Sequence, residues 1–321
     1  MNGLKLILCI VKYEIFKLHL CKNFKLTDNR FFNWFIFIVL SFIWGSSFVL
    51  MKEGLVGLTA LQVASYRIIS SGLILLPAAI KFFKKIPSNK LALVFVSGLL
   101  GSLIPAYLFC IAEQHIDSSL AGTLNALTPI FAIIIGALFF KTNTARNNIS
   151  GIAISFLGSI LLFFAQPSFS ENSNINDVLM VIIATICYGI NLNIVGKHLK
   201  ELPSLHIVAV ALSLNAIPAA IVLYFTGYFK EDIFGNIMLV STGYTILLGV
   251  VGTAAASVIF YMLIKRAGVI FSSMVTYVIP VVAVFWGILY GEIIGWKQIV
   301  CLIIILAGVY VANRSGNKVA N

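Results

Sequence analysis

The chain has 321 residues, of which 60% are hydrophobic and only 10% charged, with a formal net charge of +11. Ordinary soluble domains are about 25% charged. This composition excludes a water-surrounded globule and makes the bilayer the expected solvent. Apolar stretches of roughly 20 residues recur along the whole chain, without the in–out alternation of barrel strands, which indicates an all-α polytopic membrane protein.

Residues 1–31 precede any spanning stretch and are basic, with Lys5, Lys12, Lys17, Lys22, Lys25 and Arg30. The apolar run Leu6–Val11 is too short for a signal-peptide core, and no A-x-A site follows it. A short interfacial helix and an unstructured start both fit this segment. Ten apolar spans then follow. Five lie at about 32–51, 59–80, 91–112, 118–140 and 148–166. Five more lie at about 178–196, 205–227, 238–264, 268–290 and 297–313. The expected organisation is a basic segment 1–31, a five-helix unit 32–166, a second such unit 178–313, and a tail 314–321.

Charge orients these spans. With the N-terminus in the cytoplasm, 18 of the 22 basic residues fall on inside segments, and eight of the eleven acidic residues fall outside. That is the positive-inside pattern of a cytoplasmic membrane protein with both termini cytoplasmic. The net charge is then an orientation signal and needs no nucleic acid to explain it. Cys9, Cys21, Cys110, Cys187 and Cys301 show no CxxC spacing, and the four histidines form no ligand set. No phosphate-binding glycine motif stands in a fitting context, so neither a metal nor a cofactor is expected. No His/Asp/Glu cluster or Ser–base pair lies within the spans, so no enzyme is expected.

The halves repeat. Residues 101–138 lie over 252–289 without a gap, setting Gly101 on Gly252, Phe109 on Phe260, Pro129 on Pro280, Ala132 on Ala283 and Gly136 on Gly287. Residues 43–54 lie over 187–198, setting Trp44 on Tyr188, Gly45 on Gly189 and Ser47 on Asn191. Five spans per half is an odd number, so the second copy enters from the opposite side. Matched span ends exchange charge accordingly: Glu113-Gln114-His115 overlies Ile264-Lys265-Arg266, and Lys141 overlies Glu292. The expectation is ten transmembrane helices as two inverted five-helix repeats around a central cavity, a recurring plan of secondary transporters.

The stretches FIWGSSF, ASYRIISSGLILL, LNALTP and VTYVIP, in that order and spacing over residues 34–313, resemble the drug/metabolite transporter superfamily, in particular its EamA-type ten-helix branch. The resemblance implies two bundles around a central cavity, cytoplasmic termini and export of small metabolites or drugs. The related four-helix multidrug transporters carry a glutamate within the first helix for proton exchange. Span one here has no acid, and Glu53 and Glu113 stand at span ends, so H+ as coupling ion is left open.

Individual residues admit two readings. Pro129 and Pro280 are packing kinks or hinges that bend a helix around the cavity. Asn125 and its match Thr276 are interhelical glue or substrate contacts. Trp44 and Ser47 in span one, and Tyr188 and Asn191 in span six, form a small-plus-aromatic element for close helix approach or for the cavity. Asn191 and Asn193 cannot share a helix face, and Asn191, over Ser47, is the one expected in the cavity. Tyr277 and Trp286 line the pore or pack. Arg67, about eight residues and roughly 12 Å inside span two, snorkels or pairs with Glu53 or Glu113, or it holds an anionic or zwitterionic solute. The expected function is a secondary carrier, alternating access between its sides, that exports small organic metabolites such as amino acids. A drug efflux carrier and a non-transporting receptor or scaffold are the rivals. Monomer and homodimer are both open.

Overall fold

The computed structural model describes residues 30–116, 118–142, 146–165, 175–230, 235–289 and 295–314. The N-terminal segment up to residue 29, Glu292 and the tail from residue 315 lie outside the described residues. Among the described residues every regular element is helical. In chain order these are α1 (Arg30–Leu55), α2 (Ala60–Phe83), α3 (Ser88–Ala112), α4 (Ser118–Asn125), α5 (Thr128–Phe140) and α6 (Arg146–Phe164). They continue as α7 (Ile175–Lys197), α8 (Ser204–Phe225), α9 (Asn236–Ser273), α10 (Val275–Leu289) and α11 (Trp296–Arg314). Among the described residues seven helical stretches are long and apolar enough to cross a membrane, and Asn148–Leu162, Val275–Trp286 and Trp296–Ala312 are shorter apolar helices.

Local chemistry sets the boundaries. Thr59 and Gln62 form a reciprocal cap at the start of α2: the Gln62 N–H donates to Thr59 Oγ1, and the Thr59 N–H donates to Gln62 Oε1 at 2.8 Å. Span four, expected as one kinked helix, is interrupted at Ala126–Leu127 by a turn with i→i−3 hydrogen bonds that divides it into α4 and α5. Pro129 sits in the first turn of α5, where a missing N–H costs nothing. Pro280 differs from its partner in lying inside α10. Each proline removes the donor that the carbonyl four residues earlier would use. Those carbonyls belong to Asn125 and Thr276. The long run α9 is interrupted where spans eight and nine were expected to part: Gly268 holds φ 87° and ψ 167°, a conformation open to glycine and strained for other residues.

Two irregular turns occupy matched places. Residues Leu99–Leu103 in α3 and Leu248–Ala255 in α9 are wound as π-helix. Each contains one of the aligned glycines, Gly101 and Gly252.

The packing crosses between the halves. α1 packs chiefly on α9 and α10, and α7 packs chiefly on α3 and α5. α2 pairs with α8, and α6 pairs with α11. Three sets of close approaches come in equivalent pairs. A Cβ on Gly98 would meet the Ala211 carbonyl oxygen at 3.0 Å, and one on Gly249 would meet the Arg67 carbonyl oxygen at 2.5 Å. A Cβ on Gly101 would meet Asn191, and one on Gly252 would meet Ser47. A Cβ on Gly45 would meet Val282, and one on Gly189 would meet Phe131. Small residues of this kind let membrane helices approach through dispersion contacts where no hydrophobic drive exists. The outer surface carries Leu73, Ile80, Leu138, Phe139, Ile217 and Phe225 exposed. So much exposed apolar surface belongs in lipid.

Candidate functional site

A central cavity of about 90 Å³ lies where α1, α2, α3, α7, α9 and the α4–α5 break converge. That is room for several waters or a small solute. Two larger apolar grooves, of about 340 and 950 Å³, lie elsewhere, the wider one between α2 and α8 among exposed side chains such as Leu73, Ile80, Ile217 and Phe225. Of these three, among the described residues, the central cavity alone combines aromatic rings, amides, hydroxyls and a cation.

Its charged member is Arg67. The side chain is half-buried, and its Nε donates to Thr253 Oγ1 at 2.7 Å. The ion pairs among the described residues do not include it, so pairing with Glu53 or Glu113 is not its arrangement here. Thr253 lies in the π-wound segment of α9, so the extra residue per turn brings this hydroxyl to the cavity wall.

The aromatic wall is built from both halves. The Trp44 Nε1–H donates to the Gly252 carbonyl at 3.0 Å, and its ring meets Phe260 edge-on at 4.7 Å. Phe109 stands between Phe48 and Tyr188, with ring centroids 6.2 Å from each. The polar wall is equally composite. The Tyr261 hydroxyl donates to Asn191 Oδ1 at 3.1 Å. The Thr128 hydroxyl donates to Asn125 Oδ1 at 3.2 Å, across the break between α4 and α5. Ser47 donates within α1 to the Ile43 carbonyl, and Thr276 donates across the α9–α10 junction to the Ser273 carbonyl. Their remaining lone pairs stay available to a ligand.

Seven of the eight residues expected at a cavity therefore share this one: Trp44, Ser47, Arg67, Asn125, Tyr188, Asn191 and Thr276. Tyr277 does not. Its ring is fully buried on another face of α10, and its hydroxyl donates to the Ile152 carbonyl at 3.1 Å. Successive helical residues point about 100° apart, so Thr276 and Tyr277 cannot both face inward. Trp286 also turns away, donating to Ser46 Oγ at 2.8 Å. Asn193 bonds the Ala132 and Gly189 carbonyls, each at 2.9 Å, leaving Asn191 as the cavity amide. Pro129 and Pro280 stand behind the wall, four residues beyond Asn125 and Thr276. The sequence reading passed over Met51, Phe109, Thr253, Phe260 and Tyr261. The alignment of Phe109 with Phe260 was the available signal for two of them.

The profile of the EamA-like transporter family matches residues 32–164 and again 176–314. An "uncharacterized transporter" of Archaeoglobus fulgidus is 25% identical over 283 residues, covering 88% of this chain and 98% of its own length. A "probable amino-acid metabolite efflux pump" of Salmonella typhimurium is 29% identical over 133 residues, 41% of this chain and 43% of that protein. A solved crystal structure superposes with a TM-score of 0.68 at 14% identity, covering 91% of this chain and 100% of the other. At that identity the likeness speaks for the fold alone.

Proposed function

Since the chain belongs to the EamA-like transporter family, a family of multi-pass membrane transporters, we propose that it is a secondary carrier of the cytoplasmic membrane that exports small organic metabolites such as amino acids. Ten crossings form two inverted repeats, 32–166 and 178–313, with both termini inside. The equivalent glycine contacts of the two halves support this reading, as do the paired π-turns and prolines.

The observation that carries the function is the central cavity, lined from both halves and holding Arg67 beside an aromatic wall. A fixed guanidinium suits a carboxylate, and Trp44, Phe109, Tyr188 and Phe260 suit an apolar or aromatic side chain. Asn125, Asn191, Ser47 and Thr276 supply the polar contacts that orient the solute. An organic cation would be repelled by Arg67, which disfavours cationic-drug efflux. A receptor or scaffold has no use for a cavity mirrored from both sides of the membrane.

Alternating access comes from two bundles that exchange their first helices: α1 moves with α9 and α10, and α7 moves with α3, α4 and α5. The prolines behind Asn125 and Thr276 are the hinges. The deciding experiment is flux into and out of liposomes holding the purified protein, with amino acids, nucleobases and cationic drugs offered with and without a pH gradient. Saturable flux of carboxylate-bearing solutes is the expected result. Flux of none of these solutes under any gradient overturns the carrier reading.

A further inference from the structure

A buried acid at one end of the bundle has no part in the cavity described above. Glu113 caps α3, its N–H donating to the Phe109 carbonyl at 2.9 Å. The residue is only 5% exposed, and neither side-chain oxygen has a hydrogen-bond partner among the described residues. A carboxylate so placed loses its hydration and gains nothing in return, whereas a neutral carboxyl avoids most of that cost.

The surroundings connect this acid to the cavity. Phe109, one turn before it, is part of the cavity wall. Cys110 is fully buried, with its Sγ 3.2 Å from Sδ of Met51, another wall residue. The charges acting on Glu113 are Lys52 at the end of α1 and Arg67 in α2. Both favour the ionised form, yet burial outweighs them and pushes the carboxyl up to about 8. At the same end of the bundle, His115 Nδ1 and Asp177 Oδ1 of α7 lie 3.4 Å apart. Glu53 is exposed.

We propose that Glu113 is a proton-binding site of the transport cycle, protonated while its end of the bundle is closed and ionised when that end opens to water. The proposal rests on the alternating-access reading above. The only bond made and broken is the carboxyl O–H, and the proton comes from and returns to water at the open end. By the charge rule this end faces outward. Acid outside therefore favours closure, and closure returns the emptied carrier to the cytoplasmic side, so outside pH sets the pace of the return step with no net movement of protons across the membrane.

Two measurements on the full chain in phosphatidylcholine liposomes test this without any solute. The first is an infrared pH titration. A protonated-carboxyl band should persist to about pH 8 and vanish in Glu113→Gln. The second is alkylation of Cys110 from outside by an impermeant maleimide, with Cys9, Cys21, Cys187 and Cys301 replaced by alanine. The rate, divided by that of the same protein carrying Glu113→Gln, should rise roughly tenfold between about pH 6 and pH 9. The division removes the thiol's own pH dependence. A band already lost at pH 6, a band that survives Glu113→Gln, or a flat rate ratio overturns the proposal. If Glu113→Gln does not fold, Glu113→Asp must move the band's midpoint, and an unmoved midpoint is equally fatal. A protein that carries no solute at all can still pass both tests, which separates this failure from failure of the carrier reading.

Discussion

Arg67 of the first half donates from Nε to Thr253 Oγ1 of the second half at 2.7 Å, on the wall of the central cavity. The bond fixes one edge of the guanidinium and leaves its terminal nitrogens for a ligand. A charge-assisted hydrogen bond is worth about 1.5–3 kcal/mol, or roughly 10- to 100-fold in binding. Arg67→Gln should lower flux of carboxylate-bearing solutes by that factor, with thermal melting in detergent little changed. Thr253→Val should cost only several-fold, because the cation stays. A collapse of melting temperature in Arg67→Gln, in place of selective loss of flux, would make the residue structural.

Gly249 and Gly243 make a paired test of helix packing. A Cβ at Gly249 would fall 1.9 Å from Ser70 Oγ and 2.5 Å from the backbone oxygen of Arg67, and backbone cannot step aside. A Cβ at Gly243 meets nothing within 4 Å. Gly249→Ala should cost at least about 1–3 kcal/mol. Gly243→Ala should be neutral or stabilising by up to about 1 kcal/mol, since alanine is the better helix former. Melting curves of the two variants side by side decide it, and equal behaviour would contradict the close α2–α9 crossing.

The two prolines should separate in their effects. Pro280 interrupts α10 from within, so Pro280→Ala restores the bond to the Thr276 carbonyl and stiffens the helix. It should raise the melting temperature and slow flux several-fold. Pro129 opens α5 and deprives no interior helical bond, so Pro129→Ala should leave stability nearly unchanged. Unchanged flux in Pro280→Ala would remove the hinge role.

Burial of Glu113 also predicts a pH dependence of stability. Its folded value, about 8, lies above the ordinary 4.5. A raised acid favours the folded state while it is protonated there, so this contribution is complete below about pH 4.5 and declines as pH rises through about 8. Melting temperature should fall across that window, and Glu113→Gln should flatten the fall. A melting temperature that rises from pH 5 to 8 and loses that rise in Glu113→Gln would mean the carboxylate is stabilised, not penalised, where it sits.

Much of the architecture was legible because glycine and proline have backbone meanings that survive divergence. Gly101 and Gly252, or Pro129 and Pro280, could be paired across the chain before any packing was known. Polar groups within apolar runs, such as Asn125, Asn191 and Arg67, stood out for the same reason. The orientation of Tyr277 was not legible: lipid and protein interior are both apolar, so a membrane helix carries little periodicity to say which face is which. The π-turns were equally hidden, since a single extra residue in a turn has no sequence signature. Glu113 was read only as a span-end residue and a possible partner of Arg67. Its burial comes from the packing of α2 and α7 on α3, which is a property of the assembled bundle.

The exchange of first helices has a consequence for synthesis. Gly45, Gly98 and Gly101 of the first half are filled by Val282, Ala211 and Asn191 of the second. At about 5–20 residues per second, the first five helices spend roughly ten seconds in the bilayer before α8 to α10 exist. During that interval their tightest grooves hold lipid chains. Assembly is therefore a displacement, in which each arriving helix expels acyl groups from a waiting groove.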